Sequence, residues 1–250
     1  MLIAVLIDVA KFSLIIACVY AALIALARRK WPAWADHLTQ RRVAVLVLLT
    51  LAVVAVKLIE DVVAQESGPV DTAILWWVRE HVPAGLTGTF AVVTQSGSAA
   101  FLVPLTLVTV LALLVARRRF EALLLALSLM TANLVVYGLK TIVGRARPDL
   151  WEAQWYWGSS FPSGHTLNTA ALSTAAALSV ARISPRLGMA AMGFAIGWSG
   201  LVAVSRLVLG VHWPSDVLAA TCLGSAIALS ISVGFDFFHA VARAGKKASA

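Results

Sequence analysis

The chain reads as long apolar runs parted by short polar stretches. Seven such runs cover about 2–27, 43–64, 90–116, 120–139, 166–181, 187–204 and 217–241. A helix needs roughly 20 apolar residues to cross the hydrocarbon core, so each run is predicted as a membrane-crossing helix. A shorter helix is predicted over 70–82, where Trp76 and Trp77 adjoin Arg79 and Glu80. Paired tryptophans beside charges suit a helix lying in the plane of the membrane interface. The expected fold is all-α: a polytopic membrane helical bundle of about seven transmembrane helices and one short interfacial helix. It forms a single membrane domain over 1–250, with N-terminal helices in 1–64.

Composition agrees. Of 250 residues, 60% are hydrophobic and 13% charged, whereas soluble domains are nearer half apolar and a quarter charged. Cys18 and Cys222 lie inside apolar runs and read as small hydrophobes, not disulfide partners or metal ligands. The formal net charge of +8 comes largely from short basic clusters between runs. That distribution orients membrane helices and does not point to nucleic acid. Arg28-Arg29-Lys30 and Arg41-Arg42 bound the first loop, and Arg117-Arg118-Arg119 follows the third run. Arg182 and Arg186 follow the fifth run, and Arg243, Lys246 and Lys247 the seventh. The alternation predicts an N-terminus outside and a C-terminus in the cytoplasm. No basic residue precedes the first run and no small-residue cleavage site follows it, so an anchor is expected and not a cleaved signal.

Charges near the runs have ordinary readings. Asp8 and Lys11 are expected to pair, as are Lys57, Glu60 and Asp61 at helical spacing. His37 is expected to be solvated and His81 to face the headgroups. Ser96, Gly97 and Ser98 are small enough to allow close helix packing.

The loops after runs four and six then share the outer side, and they hold the chemistry. The first segment runs from Lys140 to Asp149 and includes Arg145, Arg147 and Pro148. The second is Phe161-Pro162-Ser163-Gly164-His165. The third holds Ser205, Arg206, His212, Trp213, Pro214 and Asp216. Pro148 disfavours helix at Arg147, which places that cation in an extended stretch. Lys140, Arg147 and Arg206 suit a doubly charged oxyanion, since the arginine fork matches phosphate oxygens and lysine adds a point charge. Ser163 is placed to N-cap a helix whose first amides, around Gly164, form an anion site that lets the backbone approach closely. Pro214 suits a first helical turn, which puts Asp216 one turn beyond His212. The carboxylate would fix the tautomer of His212 and leave its other nitrogen as a nucleophile. His165, at a helix N-terminus beside the phosphate, is the expected general acid. No set of metal ligands is evident, and the cations stand where other phosphoryl-transfer sites use magnesium.

These segments resemble the three signature motifs of the type 2 phosphatidic acid phosphatase superfamily. That family carries Lys, six residues, then Arg-Pro; here Lys140 leads to Arg147-Pro148. It carries Pro-Ser-Gly-His, here Pro162 to His165. It carries Ser-Arg, five residues, His, three residues, Asp; here Ser205-Arg206, His212 and Asp216. The resemblance covers roughly 71–240, the expected phosphatase core; members of the family often have six spans, so the first of the seven reads as an addition. It implies a metal-independent phosphatase without cofactor that forms a phosphohistidine on His212. Lys140, Arg147, Ser163, Gly164 and Arg206 would hold the phosphate, His165 would be the acid and Asp216 would orient His212. Arg145 lies outside the core motif and is a candidate auxiliary phosphate contact. Vanadium-dependent haloperoxidases share these motifs but are soluble, and the seven apolar runs argue against that reading.

The expected partners are a lipid phosphate substrate and membrane lipids; the oligomeric state is left open. The expected place is a bacterial inner membrane, with the site facing the periplasm or exterior. A lipid with its tail in the bilayer would enter sideways. Trp151, Trp155, Tyr156 and Trp157 either frame that entrance or simply anchor the interface. Within the class, an isoprenoid diphosphate such as undecaprenyl diphosphate is expected, with phosphatidic acid and phosphatidylglycerol phosphate as competitors. A lipid phosphotransferase, acting for example on lipid A, is an alternative. A transporter without chemistry is disfavoured because the nucleophile and its orienting carboxylate are intact.

Overall fold

The structure, a computed structural model, describes the backbone of residues 2–30, 32–151 and 158–248 and the side chains of 7–30, 34–36, 38–151 and 158–238. Among the described residues there are ten α-helices and no strand. They are α1 (Leu2–Lys30), α2 (Pro32–Gln40), α3 (Arg42–Val63), α4 (Gly68–His81), α5 (Thr87–Gln95), α6 (Ala99–Val115), α7 (Arg119–Val143), α8 (Gly164–Ile183), α9 (Gly188–Val208) and α10 (Pro214–Ala248).

Six described segments are long and apolar enough to cross a membrane: Ile7–Lys30, Arg42–Val63, Ala84–Val115, Arg119–Val143, Pro185–Val208 and Pro214–Phe238. The protein is an integral membrane protein. Leu14, Leu111, Phe194 and Ile142 are exposed, as expected of side chains that meet lipid. The run predicted over 166–181 is helical, but α8 is less apolar than the others. Its Asn168, Thr169, Ser173, Thr174 and Ser179 are buried, because other helices and not lipid surround it. Ser173 Oγ meets Ser199 Oγ at 2.9 Å, and Asn168 Nδ2 donates to Asn133 Oδ1 at 3.1 Å. Polar contacts between membrane helices stabilise by about 0.6 kcal/mol each on average.

By packing, the chain divides into two compact units, Met1–Val53 with Leu229–Ala250, and Val54–Ala228. In the first, α1 packs on α2, Arg41 pairs with Asp236 at 2.8 Å, and Trp34 meets the Phe237 ring edge-on. Asp8 and Lys11 pair at 3.8 Å as expected. The side chain of His37 lies outside the described residues, as do those of Arg243, Lys246 and Lys247.

In the second unit, α8 packs most extensively on α9 and then on α7. Leu167 and Ala171 of α8 meet Ala132 of α7 and Ala220 of α10 in one dry cluster. Phe161, fully buried, packs with Val62 and Ala219 and so seats the segment that leads into α8. Lys57 pairs with Asp61 at 2.7 Å and with Glu60 at 3.5 Å.

The single helix predicted over 90–116 is broken into α5 and α6. Ser98 caps α6, accepting the Phe101 amide at 3.3 Å. Gly97 fills the junction for a steric reason: a Cβ there would lie 2.7 Å from Val202 Cγ1 and 3.0 Å from Thr169 Oγ1. The close packing expected of Ser96-Gly97-Ser98 is therefore present, and it brings the α5–α6 junction against α8 and α9 next to His165.

Candidate active site

Backbone geometry sets up the site. Gly144, with φ +62°, ends α7 in the left-handed conformation that helix C-caps favour. The chain beyond it is extended, as Pro148 predicts. Ser160 stitches this segment to itself: its amide donates to Arg145 O at 2.8 Å and its hydroxyl to Ala146 O at 3.0 Å. Lys140 Nζ donates to Ser159 O, and Arg147 Nε to Gly158 O at 3.2 Å. The two cations are thus aimed by carbonyls of the returning segment of the same loop.

Between α9 and α10 the chain turns through Gly210, at φ +66°. A Cβ there would also sit 2.7 Å from Trp151 Nε1, so both conformation and space require glycine. This turn delivers His212, which is 2% exposed. Its Nδ1 lies 3.4 Å from Asp216 Oδ2. The same oxygen accepts the Trp213 amide at 2.9 Å, so the first turn of α10 clamps its own carboxylate. A carboxylate only accepts, so the neutral ring carries its proton on Nδ1 and keeps a lone pair on Nε2. Nε2 is 3.4 Å from an Arg147 terminal nitrogen, which also donates to Val211 O at 2.7 Å.

The second motif joins the third through backbone: the Ser163 amide donates to Asp216 O at 3.3 Å. Ser163 stands at the N-cap of α8, but its hydroxyl makes no capping bond. It pairs instead with Thr166 Oγ1 at 3.0 Å. No side chain caps the first turn of α8, whose leading amides have no partner within the helix. Gly164 opens that turn, and a Cβ there would lie 3.4 Å from Val136 Cγ1. Arg206 is 1% exposed and donates to Thr94 Oγ1 at 2.8 Å. Ser205 turns back on its own helix, bonding Val202 O at 2.6 Å.

Electrostatics tie these groups into one site. His165 precedes the apolar part of α8. Burial pushes its imidazole down to about 3, helped by the charges of Arg206, His212, Arg147 and Lys140. Burial also pushes His212 down to about 4, against the pull of Asp216 and with the help of Arg206 and Arg147. Both rings are therefore neutral at pH 7. A dianion among three cations would reverse the balance at His165 and favour its charged form.

Arg145 is placed apart from these cations. One terminal nitrogen donates to Asp216 Oδ1 and Ser215 Oγ, each at 2.7 Å. The other donates to Asp71 Oδ2 at 2.7 Å and Ser67 Oγ at 3.0 Å. Asp71, Ser67, Ser215 and Thr94 were not singled out by sequence reasoning. A sign was present for Asp71: an acid in the first turn of α4, two residues after Pro69. The Trp151 ring is tilted by 59° against that of Trp76, with centroids 5.7 Å apart, and its centre lies 5.5 Å from the Arg79 guanidinium, beside the His212 turn. Trp155, Tyr156 and Trp157 lie outside the described residues.

Comparison with known proteins gives one consistent answer. The PAP2 superfamily profile matches residues 121–239. The chain is 32% identical over 147 residues to phosphatidylglycerophosphatase B of Bacillus subtilis, spanning 58% of this chain and 72% of that protein. It is 33% identical over 123 residues to decaprenylphosphoryl-5-phosphoribose phosphatase of Mycobacterium tuberculosis, 47% of this chain and 64% of that one. The crystal structure of a transmembrane PAP2-type phosphatidylglycerolphosphate phosphatase from Bacillus subtilis superposes with a TM-score of 0.69 at 27% identity. It covers 76% of this chain and 95% of that chain.

Proposed function

The chain belongs to the PAP2 superfamily, and we propose that it is a membrane phosphatase that cleaves lipid phosphates through a phosphohistidine on His212. One observation carries this reading: His212 has a carboxylate on Nδ1 and a phosphate-type cation, Arg147, beside Nε2.

The steps follow from the geometry. Lys140, Arg147, Arg206 and the first amides of α8 take the phosphate oxygens. Nε2 of His212 attacks phosphorus, and the bond from phosphorus to the lipid oxygen breaks. His165, charged in the presence of the dianion, gives its proton to that oxygen. Asp216 steadies the positive charge that grows on the imidazole. Neutral His165 then takes a proton from water, the water oxygen attacks phosphorus, and the phosphorus–nitrogen bond breaks to release inorganic phosphate. No metal is required, because fixed cations carry the charge stabilisation.

Phosphatidylglycerol phosphate is the first substrate we propose, since the Bacillus subtilis relatives bear that name. An isoprenoid diphosphate is the second, favoured by the sequence reading and by the relative named for a decaprenyl lipid. The basic clusters support a site on the outer side of a bacterial inner membrane, with the N-terminus outside and the C-terminus in the cytoplasm. Purified protein in nanodiscs, given both lipids and phosphatidic acid in parallel, tests the reading. Phosphate release is expected, with the highest kcat/KM on phosphatidylglycerol phosphate. A higher value on the isoprenoid would reverse the order, labelled lipid in place of free phosphate would indicate a phosphotransferase, and no product from any of them would overturn the assignment.

A further inference from the structure

Behind the orienting carboxylate lies a second buried acid that no motif contains. Asp71, on α4, is 2% exposed. Its Oδ1 accepts the Ser215 amide at 2.8 Å, and its Oδ2 accepts the Ser215 hydroxyl at 2.6 Å. It thereby caps the first turn of α10 from another helix, where a negative charge meets unpaired amides and the positive end of the dipole. Arg145 bridges Asp71 and Asp216 through its two terminal nitrogens, both at 2.7 Å, and its guanidinium lies 5.4 Å from the centre of the Trp213 ring.

We propose that Asp71 and Arg145 are positioning residues that lock the Asp216 carboxylate and keep the net charge behind His212 negative. This rests on the role given to His212 above. The geometric part is direct. Arg145 occupies Oδ1 of Asp216, so only Oδ2 remains to face Nδ1 of His212 and the Trp213 amide. The carboxylate plane has one setting.

The charge part follows from counting. Asp216 alone would offer the imidazole one negative charge. Arg145, touching it, cancels that charge. Asp71, touching Arg145, restores it, so the three groups together carry one negative charge in a buried place. That charge matches the single positive charge that a phosphorylated imidazole carries with its Nδ1 proton in place. Without Asp71, a buried guanidinium would oppose the developing charge at short range, where the interaction is weakly screened.

The count gives a test that simple packing cannot imitate. Asp71→Asn keeps the shape, removes the charge and turns one accepting oxygen into a donor. It should lower kcat by roughly 10- to 100-fold, by analogy with the loss when a group that orients a metal ligand from behind is changed, with KM little altered. Adding Arg145→Gln to it removes the uncompensated cation, so the double variant should be faster than Asp71→Asn alone. Equal or multiplied losses in the double variant would overturn the charge role. Should Asp71→Asn fail to fold in the membrane, Arg145→Lys serves instead. It keeps the charge but cannot span two carboxylates, and should lower kcat without raising KM; wild-type kcat would overturn the proposal. Nitrogen-15 imidazole NMR of the full chain in nanodiscs reads the same point without turnover, the His212 signals being those lost in His212→Ala. The wild type should show a protonated Nδ1, and Asp71→Asn a shifted Nδ1 signal; an unshifted one sinks the positioning role whatever the activity. Turnover retained in His212→Ala would instead remove the phosphohistidine reading and leave the NMR result to decide the carboxylate geometry by itself.

Discussion

Nε2 of His212 lies 3.4 Å from a terminal nitrogen of Arg147, while Nδ1 of the same ring lies 3.4 Å from Asp216. The imidazole is therefore held between the group that would orient it and a group that would hold its target. Both distances are long for hydrogen bonds.

Asp216→Asn should leave the fold in place and cost about 10³–10⁴-fold in kcat, by analogy with the orienting aspartate of hydrolase triads. An asparagine amide could donate toward Nδ1 and favour the wrong tautomer. Steady-state kinetics on a lipid phosphate checks this, and a loss below about tenfold would show that orientation matters little here.

His165→Ala should lose roughly 10²–10⁴-fold on a lipid phosphate, the usual worth of a positioned acid. With a p-nitrophenyl phosphate substrate the loss of the first step should shrink, because that leaving group departs without a proton. Equal losses on both substrates in kcat/KM, which reports the steps up to the phosphohistidine, would remove the acid from the mechanism.

The pH profile follows from burial. As the proposed nucleophile His212 would act only when neutral, and its ring is pushed down to about 4 from the ordinary 6.5. Its protonation should therefore not limit kcat/KM until the pH falls well below 6.5. Arg147 is one of the charges that lower it, so Arg147→Gln should move the acidic limb to higher pH. Comparing the two proteins on one substrate cancels the substrate's own ionisation, and an acidic limb that stays in place would contradict the prediction.

Chelators should leave activity intact if, as proposed, Lys140, Arg147 and Arg206 supply the charge stabilisation. Dialysis against EDTA followed by assay in the presence and absence of magnesium checks this. A loss that magnesium restores would show that a metal takes part.

Much of this was legible along the chain because its chemistry is local. His212 and Asp216 are four residues apart at the start of a helix that Pro214 announces. Lys140 and Arg147 flank the end of α7, and Ser163 to His165 open α8. The apolar runs marked nearly every helix. Long-range partners were not legible. Asp71 is 74 residues from Arg145 and 144 from Ser215, and no spacing rule connects them. Arg145 and Arg147 look alike in sequence, two residues apart in a cationic stretch. The left-handed turn at Gly144 and the extended segment after it send one toward Asp71 and Asp216 and the other toward His212. The break at Gly97 escaped an apolar count, because it answers to Val202 and Thr169 across the bundle.

The central claim is a covalent phosphoryl group on one nitrogen, and trapping it is the most direct test. Purified protein would be mixed with lipid carrying phosphorus-32, quenched in alkali, and digested to locate the label. The account predicts an acid-labile, alkali-stable label on the peptide containing His212, absent from His212→Ala, which should also show no turnover. Label on any other residue, or phosphate release by His212→Ala, would contradict it.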